Sequence, residues 1–268
     1  MTRKIKHVFI GGKQIGVNAL RTLLAHEMSP ELVVTNLDDD GVDTWHESLV
    51  RVAREANLPL ITGRKVRDPE IVERIKNIDP DIIFCIGGMQ IIPEELLKIP
   101  KLGTLNIHPA LLPKYRGRFS TAHAIFNGEE YTGATVHWMD EGLDTGPIIL
   151  QEKFAITQDD TARTVYDKFT ETGTKLFEDF LVILESGEKI IATPQDESIA
   201  TYYPKEMPGN GKIDWSWDGS KIERFIRAMT FEPFPPPEFM IGEKKMVIID
   251  ERYFPGFNTE KSNEKEEN

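Results

Sequence analysis

The stretch Asp81–Gly88, DIIFCIGG, constrains the fold of this chain more than any other. Ile82–Ile86 runs through five apolar residues without polar alternation, the pattern of a strand covered on both faces. Such a strand belongs in an open, mostly parallel sheet with helices on both sides. The segments before it keep that rhythm. His7–Ile10 reads as a strand ending in Gly11-Gly12, and Lys13–His26 as a helix with Ile15, Ala19, Leu20, Leu23 and Leu24 on one face. Leu32–Thr35 is a second strand, followed by the acidic loop Asp38-Asp39-Asp40-Gly41. Trp45–Asn57 reads as a helix, Leu60–Thr62 as a strand, and Pro69–Ile78 as a helix with Asp68 as N-cap.

Past Gly103 the pattern predicts strands at Thr104–His108, Ala134–Met139 and Ile148–Phe154, and helices at Ser120–Asn127 and Thr161–Glu185. A loop-rich stretch then leads to a helix at Gly219–Met229 and short strands at Glu238–Ile241 and Lys245–Ile249. The expected division is a catalytic domain over 1–200, a small C-terminal α+β subdomain over 201–257, and a disordered polar tail over 258–268.

The net charge of −12 repels nucleic-acid phosphates, so nucleic acid is not an expected partner. The lone cysteine, Cys85, sits in the apolar strand and reads as a small buried hydrophobe. No Cys/His spacing suggests zinc, and no metal is expected. The start, MTRKIKHVFIGG, lacks the apolar length of a signal peptide, and no run is long enough to span a bilayer. A soluble cytoplasmic protein is the expectation.

Ligands of open α/β sheets bind beyond the carboxyl ends of the strands, which is where Gly11-Gly12, Gly87-Gly88 and Asn106/His108 fall. GGKQIG at Gly11–Gly16 joins a strand to a helix but lacks the G-x-G-x-x-G spacing of dinucleotide binders. Its amides either hold an anion such as a diphosphate or simply form a tight turn. In LNIHPALLPKYRG, Asn106 and His108 are two residues apart and point the same way along the strand. A second stretch, TGATVHWMDEGLDTGPIILQ, places Asp140 and Asp144 in a glycine-containing loop after a strand with one mixed face. Amide, imidazole and carboxylate together suit polar group transfer. Asn106 can donate to a developing oxyanion, His108 can take a proton, and Asp144 can hold the imidazolium. No serine or cysteine elbow accompanies them, so direct attack by a substrate amine on an acyl donor fits better than a covalent acyl-enzyme.

NIHPALLPKYRGR followed by TGATVHWMDEGLDTGPIILQ resembles the signature of the folate-dependent formyltransferases, over roughly residues 5 to 250. The resemblance implies a Rossmann-like catalytic domain, Asn106, His108 and Asp144 as the catalytic set, and 10-formyltetrahydrofolate as formyl donor. It places the pterin against Met89, Gln90, Ile91 and Ile92 and the loop around Asp140, where Gly87-Gly88 permits close backbone approach. Among members, the segments TYYPKEMPGNGKIDW and KIERFIRAMTFEPFPPPEFMIGEKKMVI look like the C-terminal part of nucleotide-sugar N-formyltransferases. Methionyl-tRNA formyltransferases carry a larger C-terminal barrel, which this chain is expected to lack. The implied acceptor is a nucleotide-linked amino-dideoxysugar for surface polysaccharide synthesis, with a 4-amino-4,6-dideoxyhexose favoured and the nucleotide left open among dTDP, UDP and GDP. A different formyl acceptor (methionyl-tRNA or a small ribonucleotide), or an inactive folate- or nucleotide-binding regulator, is the alternative. Relatives commonly dimerise, so a homodimer is expected. Gly12, Lys13, Arg116 and Arg118 are the candidates to hold the sugar diphosphate. Many relatives carry a proline shortly after the Arg-Gly pair, where this chain has Arg118-Phe119-Ser120-Thr121. That loop is expected to shape the acceptor pocket. The mechanism requires that His108→Ala abolish formyl transfer while folate binding stays measurable by calorimetry; undiminished turnover in that variant would overturn it.

Overall fold

The computed structural model describes residues 5–248 apart from 204, 233, 235 and 242. Strands β1 (His7–Gly11), β2 (Leu32–Thr35), β3 (Leu60–Ile61), β4 (Ile82–Ile86) and β5 (Gly103–His108) run parallel, in the order β3-β2-β1-β4-β5. Helices α1 (Lys13–Ala25), α2 (Leu49–Glu55), α3 (Pro69–Ile78) and α4 (Glu94–Leu97) connect them. The short strand β6 (Arg116–Gly117) and helix α5 (Ser120–Phe126) follow β5. The sheet is then completed antiparallel, by β7 (Tyr131–Trp138) on β5 and β8 (Ile148–Ala155) on β7. Helix α6 (Ala162–Ser186) closes this part; β9 (Tyr202–Tyr203), α7 (Gly219–Met229), β10 (Glu238–Ile241) and β11 (Lys244–Val247) follow. β9 pairs parallel with β6, and β10 with β11 antiparallel.

The unalternating strand does what its composition predicts. Phe84 joins Phe9, Leu105 and Ile107 in one core with Leu20 and Leu23 of α1 and Phe177 and Phe180 of α6. Ile83 and Cys85 point the other way, with Val8, Ile10 and the α3 residues Ile71, Val72 and Ile75. Both faces of β4 are therefore dry. Cys85 is buried and its thiol is pushed up to about 12, chiefly by burial, so it acts as a hydrophobe. No described helix is long and apolar enough to cross a membrane.

One helix start differs from the pattern-based expectation. The helix expected over Trp45–Asn57 begins only at Leu49. Ser48 caps it by accepting from Arg51 N at 3.1 Å, and the Asp39 carboxylate accepts from Leu49 N and Val50 N at 2.8 and 3.2 Å. These bonds satisfy the free amides of the first turn and fix its start. Trp45 instead packs edge-on against Tyr166 and Phe231 in irregular chain. Asp68 does precede α3, but its side chain makes no capping bond there. The strand expected over Ala134–Met139 begins earlier, at Tyr131, because it pairs with β8 back to Ala155. The expected tail over 258–268, with residues 249–257, lies outside the described residues.

The carboxyl end of β1 is packed backbone to backbone. A Cβ on Gly11 would fall 1.9 Å from the Ile86 carbonyl oxygen of β4, an atom that no side-chain rotation can move. Gly11→Ala should therefore lower stability by about 1–3 kcal/mol, read as a lower urea midpoint with little change in slope; an unchanged midpoint would contradict this contact.

Candidate active site

The site is built where the sheet changes from parallel to antiparallel, at the carboxyl end of β5. The register pairs Asn106 with His137 and His108 with Thr135. Pairing residues across a ladder share a face, so Asn106, His108, Thr135 and His137 all reach the same side. Asp144 comes from the loop after β7, and its carboxylate Oδ2 lies 3.4 Å from His108 Nδ1. The three residues singled out from the sequence are thus brought together.

His108 is held on both sides. Its Nε2 donates to the Tyr115 carbonyl at 2.7 Å, while Nδ1 faces Asp144. A carbonyl only accepts, so Nε2 carries a proton. An imidazolium would then satisfy both neighbours at once, which suits a group that receives a proton on Nδ1 during reaction. The Ser120 hydroxyl lies 3.5 Å from the same Nε2.

His137 went without a role in the sequence reading, although its place on the mixed face of β7 was visible there. Its Nδ1 lies 2.9 Å from the Trp138 carbonyl and its Nε2 lies 3.2 Å from Asn106 Nδ2. The Nδ1 proton goes to the carbonyl, so Nε2 is free to accept from the Asn106 amide. That assignment requires a neutral ring. Burial pushes the His137 pKa down to about 4; the Asp144 carboxylate opposes the shift and His108 adds to it. A neutral His137 therefore aims the Asn106 amide. Beneath it, Thr135 donates to the Ala110 carbonyl at 2.6 Å and accepts from Leu112 N at 3.2 Å, fixing the loop that leaves β5.

Asp144 has a left-handed backbone, φ 55°, as have Lys13, Tyr115 and Phe119 nearby, with φ 56°, 60° and 55°. Left-handed non-glycine residues cost free energy and persist where their surroundings dictate them. The Asp144 loop is dictated closely: Gly117 N donates to Asp144 Oδ2 at 2.8 Å, and a Cβ on Gly146 would lie 1.8 Å from the Trp138 carbonyl oxygen.

The expected donor-side residues divide into two groups. Gln90 and Ile92 are committed to the fold: Gln90 Oε1 accepts from Val66 N at 2.9 Å, and Ile92 is buried with Leu96 and Ile71. Their side chains are therefore not available to a pterin. Met89 and Ile91 are exposed, the latter at 87%. Asn36 braces this loop, accepting from Met89 N at 2.9 Å and donating to the Gly87 carbonyl at 3.0 Å. The amides of Gln90, Ile91 and Ile92 donate to no other described backbone or side-chain group. A pterin, with its alternating donors and acceptors, fits such backbone. Beside it, Leu97, Lys98, Met139, Asp140 and Gly142 line a cavity of about 380 Å³. Asp140 holds its own loop through one oxygen, Oδ1, which accepts from Thr145 Oγ1 at 2.5 Å and Gly142 N at 3.1 Å.

Of the expected acceptor-side cations, Arg116 is a correction. Its side chain is fully buried and bonded to Gln195, Glu197 and the Tyr202 hydroxyl, so its charge is spent inside the protein and cannot reach a phosphate. Arg118 is exposed, with its guanidinium 5.8 Å from the Phe119 ring centre. Lys13 lies at the start of α1 after Gly12, and its pKa is lowered by burial and by Arg118, with Asp38 opposing. Lys13 and Arg118 thus share one electrostatic field.

Residues 8–181 match the formyl transferase family. The chain is 35% identical over 245 residues to a methionyl-tRNA formyltransferase of Citrifermentans bemidjiense, spanning 90% of this chain and 76% of that protein. Among solved structures, it resembles the N-formyltransferase of Helicobacter canadensis in complex with folinic acid and dTDP-3-aminofucose, with a TM-score of 0.76, 28% identity, and 91% and 86% of the two chains covered. WlaRD, a sugar 3N-formyl transferase solved with dTDP and 5-N-formyl-THF, matches with a TM-score of 0.75, 30% identity, and coverage of 88% and 82%.

Two measurements follow from this geometry. Arg116→Met should lower stability by about 1–3 kcal/mol, since Gln195 loses its donor while the exposed Glu197 and Tyr202 can turn to solvent. A raised KM for acceptor with unchanged stability would instead restore Arg116 as a ligand. His137 supplies a pH dependence. The unfolded chain protonates it near 6.5 and the folded protein only near 4. Its contribution is complete above pH 6.5 and is lost progressively as pH falls from 6.5 toward 4. Denaturation curves of wild type and His137→Gln should diverge in slope over that window, and parallel profiles would contradict a neutral buried His137.

Proposed function

Since this chain belongs to the formyl transferase family, matched over residues 8–181, we propose that it moves a formyl group from 10-formyltetrahydrofolate to the amine of a nucleotide-linked amino sugar. The observation that carries the reading is the convergence of Asn106, His108 and Asp144 at the switch in the sheet, with His137 aiming the amide. The neutral amine adds to the formyl carbon, and Asn106 Nδ2 donates to the oxygen on which negative charge develops. His108 accepts the proton that the amine loses, and Asp144 stabilises the resulting imidazolium. With the new C–N bond formed, the charge on oxygen collapses, the bond from the formyl carbon to the folate nitrogen breaks, and His108 passes the proton to that leaving nitrogen. The backbone of Met89–Ile92 and the Asp140 loop receive the pterin in this reading.

The acceptor's diphosphate is assigned to Lys13 and Arg118, with the amides that follow Gly12; the Gly12 amide itself, expected to share in this, is spent on the Ile86 carbonyl at 3.2 Å. Two relatives above a quarter identity are a complex with dTDP-3-aminofucose and a sugar 3N-formyl transferase with dTDP. These favour a dTDP-linked sugar with its amine at C-3, rather than the C-4 amine expected from sequence. The net charge of −12 also disfavours a polyanionic acceptor. The tRNA reading has an observation of its own, the 35% identity to a methionyl-tRNA formyltransferase.

One experiment separates them. Purified protein is incubated with 10-formyltetrahydrofolate and either a panel of dTDP-, UDP- and GDP-linked 3- and 4-amino sugars or methionyl-tRNA, and products are weighed by mass spectrometry. The expected product is a formylated dTDP-3-amino sugar; formylmethionyl-tRNA alone would replace this acceptor assignment. With the sugar accepted, Lys13→Met should raise its KM by about tenfold and leave the KM of the folate donor unchanged.

A further inference from the structure

Arg116 and Gln195 form a chain of hydrogen bonds that ends on the main chain of the Asp144 loop. Gln195 Nε2 donates to two carbonyls of the Asp144 loop, those of Asp144 at 2.8 Å and Gly146 at 2.7 Å. Its other end, Oε1, accepts from Arg116 Nε at 3.0 Å and Nη2 at 2.8 Å. Arg116 in turn forms a fork with Glu197, at 2.9 and 2.6 Å, and bonds the Tyr202 hydroxyl. The amide of Gln195 is thereby fixed in orientation: its oxygen is taken by a cation, so its nitrogen must face the loop.

The same two-residue strand grips Asp144 twice. Gly117 N donates to the carboxylate, and Arg116, one residue earlier, holds the main chain through Gln195. β6 is itself seated by pairing with β9, and the segment carrying Gln195 is tied to the start of β8 by reciprocal bonds between Thr193 and Ile148, each 2.8 Å. Asp144 needs such support because its φ of 55° is unfavourable for a non-glycine residue.

We propose that Gln195, oriented by the buried Arg116, is a positioning residue that holds the Asp144 loop in its left-handed conformation and so sets the reach of the carboxylate to His108. This rests on the transferase reading only for its kinetic arm. The interaction is directional, so it can be broken with little change of shape. Gln195→Glu keeps the partner of Arg116 but sets a carboxylate oxygen against two carbonyls.

The test compares wild type and Gln195→Glu in the full chain by hydrogen exchange and steady-state kinetics. Exchange across 140–148, which contains Ile148 N bonded to the Thr193 carbonyl, should quicken about tenfold while helix α6 is unchanged. With the acceptor identified by the panel, kcat should fall about 10- to 100-fold, the loss typical of a misplaced group, with the KM of the folate donor kept. A folded variant with wild-type exchange over 140–148, wild-type kcat, or faster exchange spread evenly over the molecule would each overturn the proposal. Should Gln195→Glu fail to fold, Gln195→Asn, whose amide is one methylene short of spanning both carbonyls, is judged by the same readouts. The exchange arm needs no substrate, so positioning and transfer fail separately.

Discussion

The register between β5 and β7 is the constraint on which the site depends. Asn106 opposes His137 and His108 opposes Thr135. A slip of one residue would turn every one of these side chains to the other face of the sheet. The register is secured by burial rather than by the polar residues. Leu105, Ile107, Ala134 and Val136 face one core between them, so sliding the strands would drive apolar groups out of it. Hydrophobic packing thus holds a polar constellation in place that could not hold itself.

Around that register the site gathers conformations and charges that a stable protein otherwise avoids. Lys13, Tyr115, Phe119 and Asp144 are all left-handed, and His137 is kept neutral against the pull of a carboxylate. Two of these backbones have visible support: Asp144 from Gly117 N and Gln195, and Tyr115 from its neighbours. Tyr115 stacks on Tyr203 with ring centres 5.0 Å apart, and its carbonyl accepts a hydrogen bond from His108 Nε2. The buried Arg116 belongs to the same economy of support: a charge inside the protein serves geometry when its partners are complete.

Several of these features were legible in sequence because they follow local rules. The unalternating Ile82–Ile86 demanded a sheet covered on both faces, and both cores are there. The i, i+2 spacing of Asn106 and His108 put them on one face, and the glycine-bearing loop offered Asp144 a close approach. Other assignments misled for one shared reason. Arg116 looked like a phosphate ligand because a cation near a site is indistinguishable from one buried by it until its neighbours are known. Its acid, Glu197, and its amide, Gln195, are some eighty positions away. The late start of α2 has the same origin, since the carboxylate that satisfies its first amides comes from Asp39, outside the helical period.

By itself, then, the sequence determined the α/β architecture, the strand end where polar groups gather, and the set of an amide, an imidazole and a carboxylate found there. These depend on periodicities of two and 3.6 residues and on the nature of single side chains. Only the tertiary structure decided which of the candidate cations remain free, which way the Asn106 amide points, and what holds Asp144 in an unfavourable backbone. Those outcomes depend on partners distant in the chain, whose hydrogen bonds and burial exist only once the sheet has closed around them.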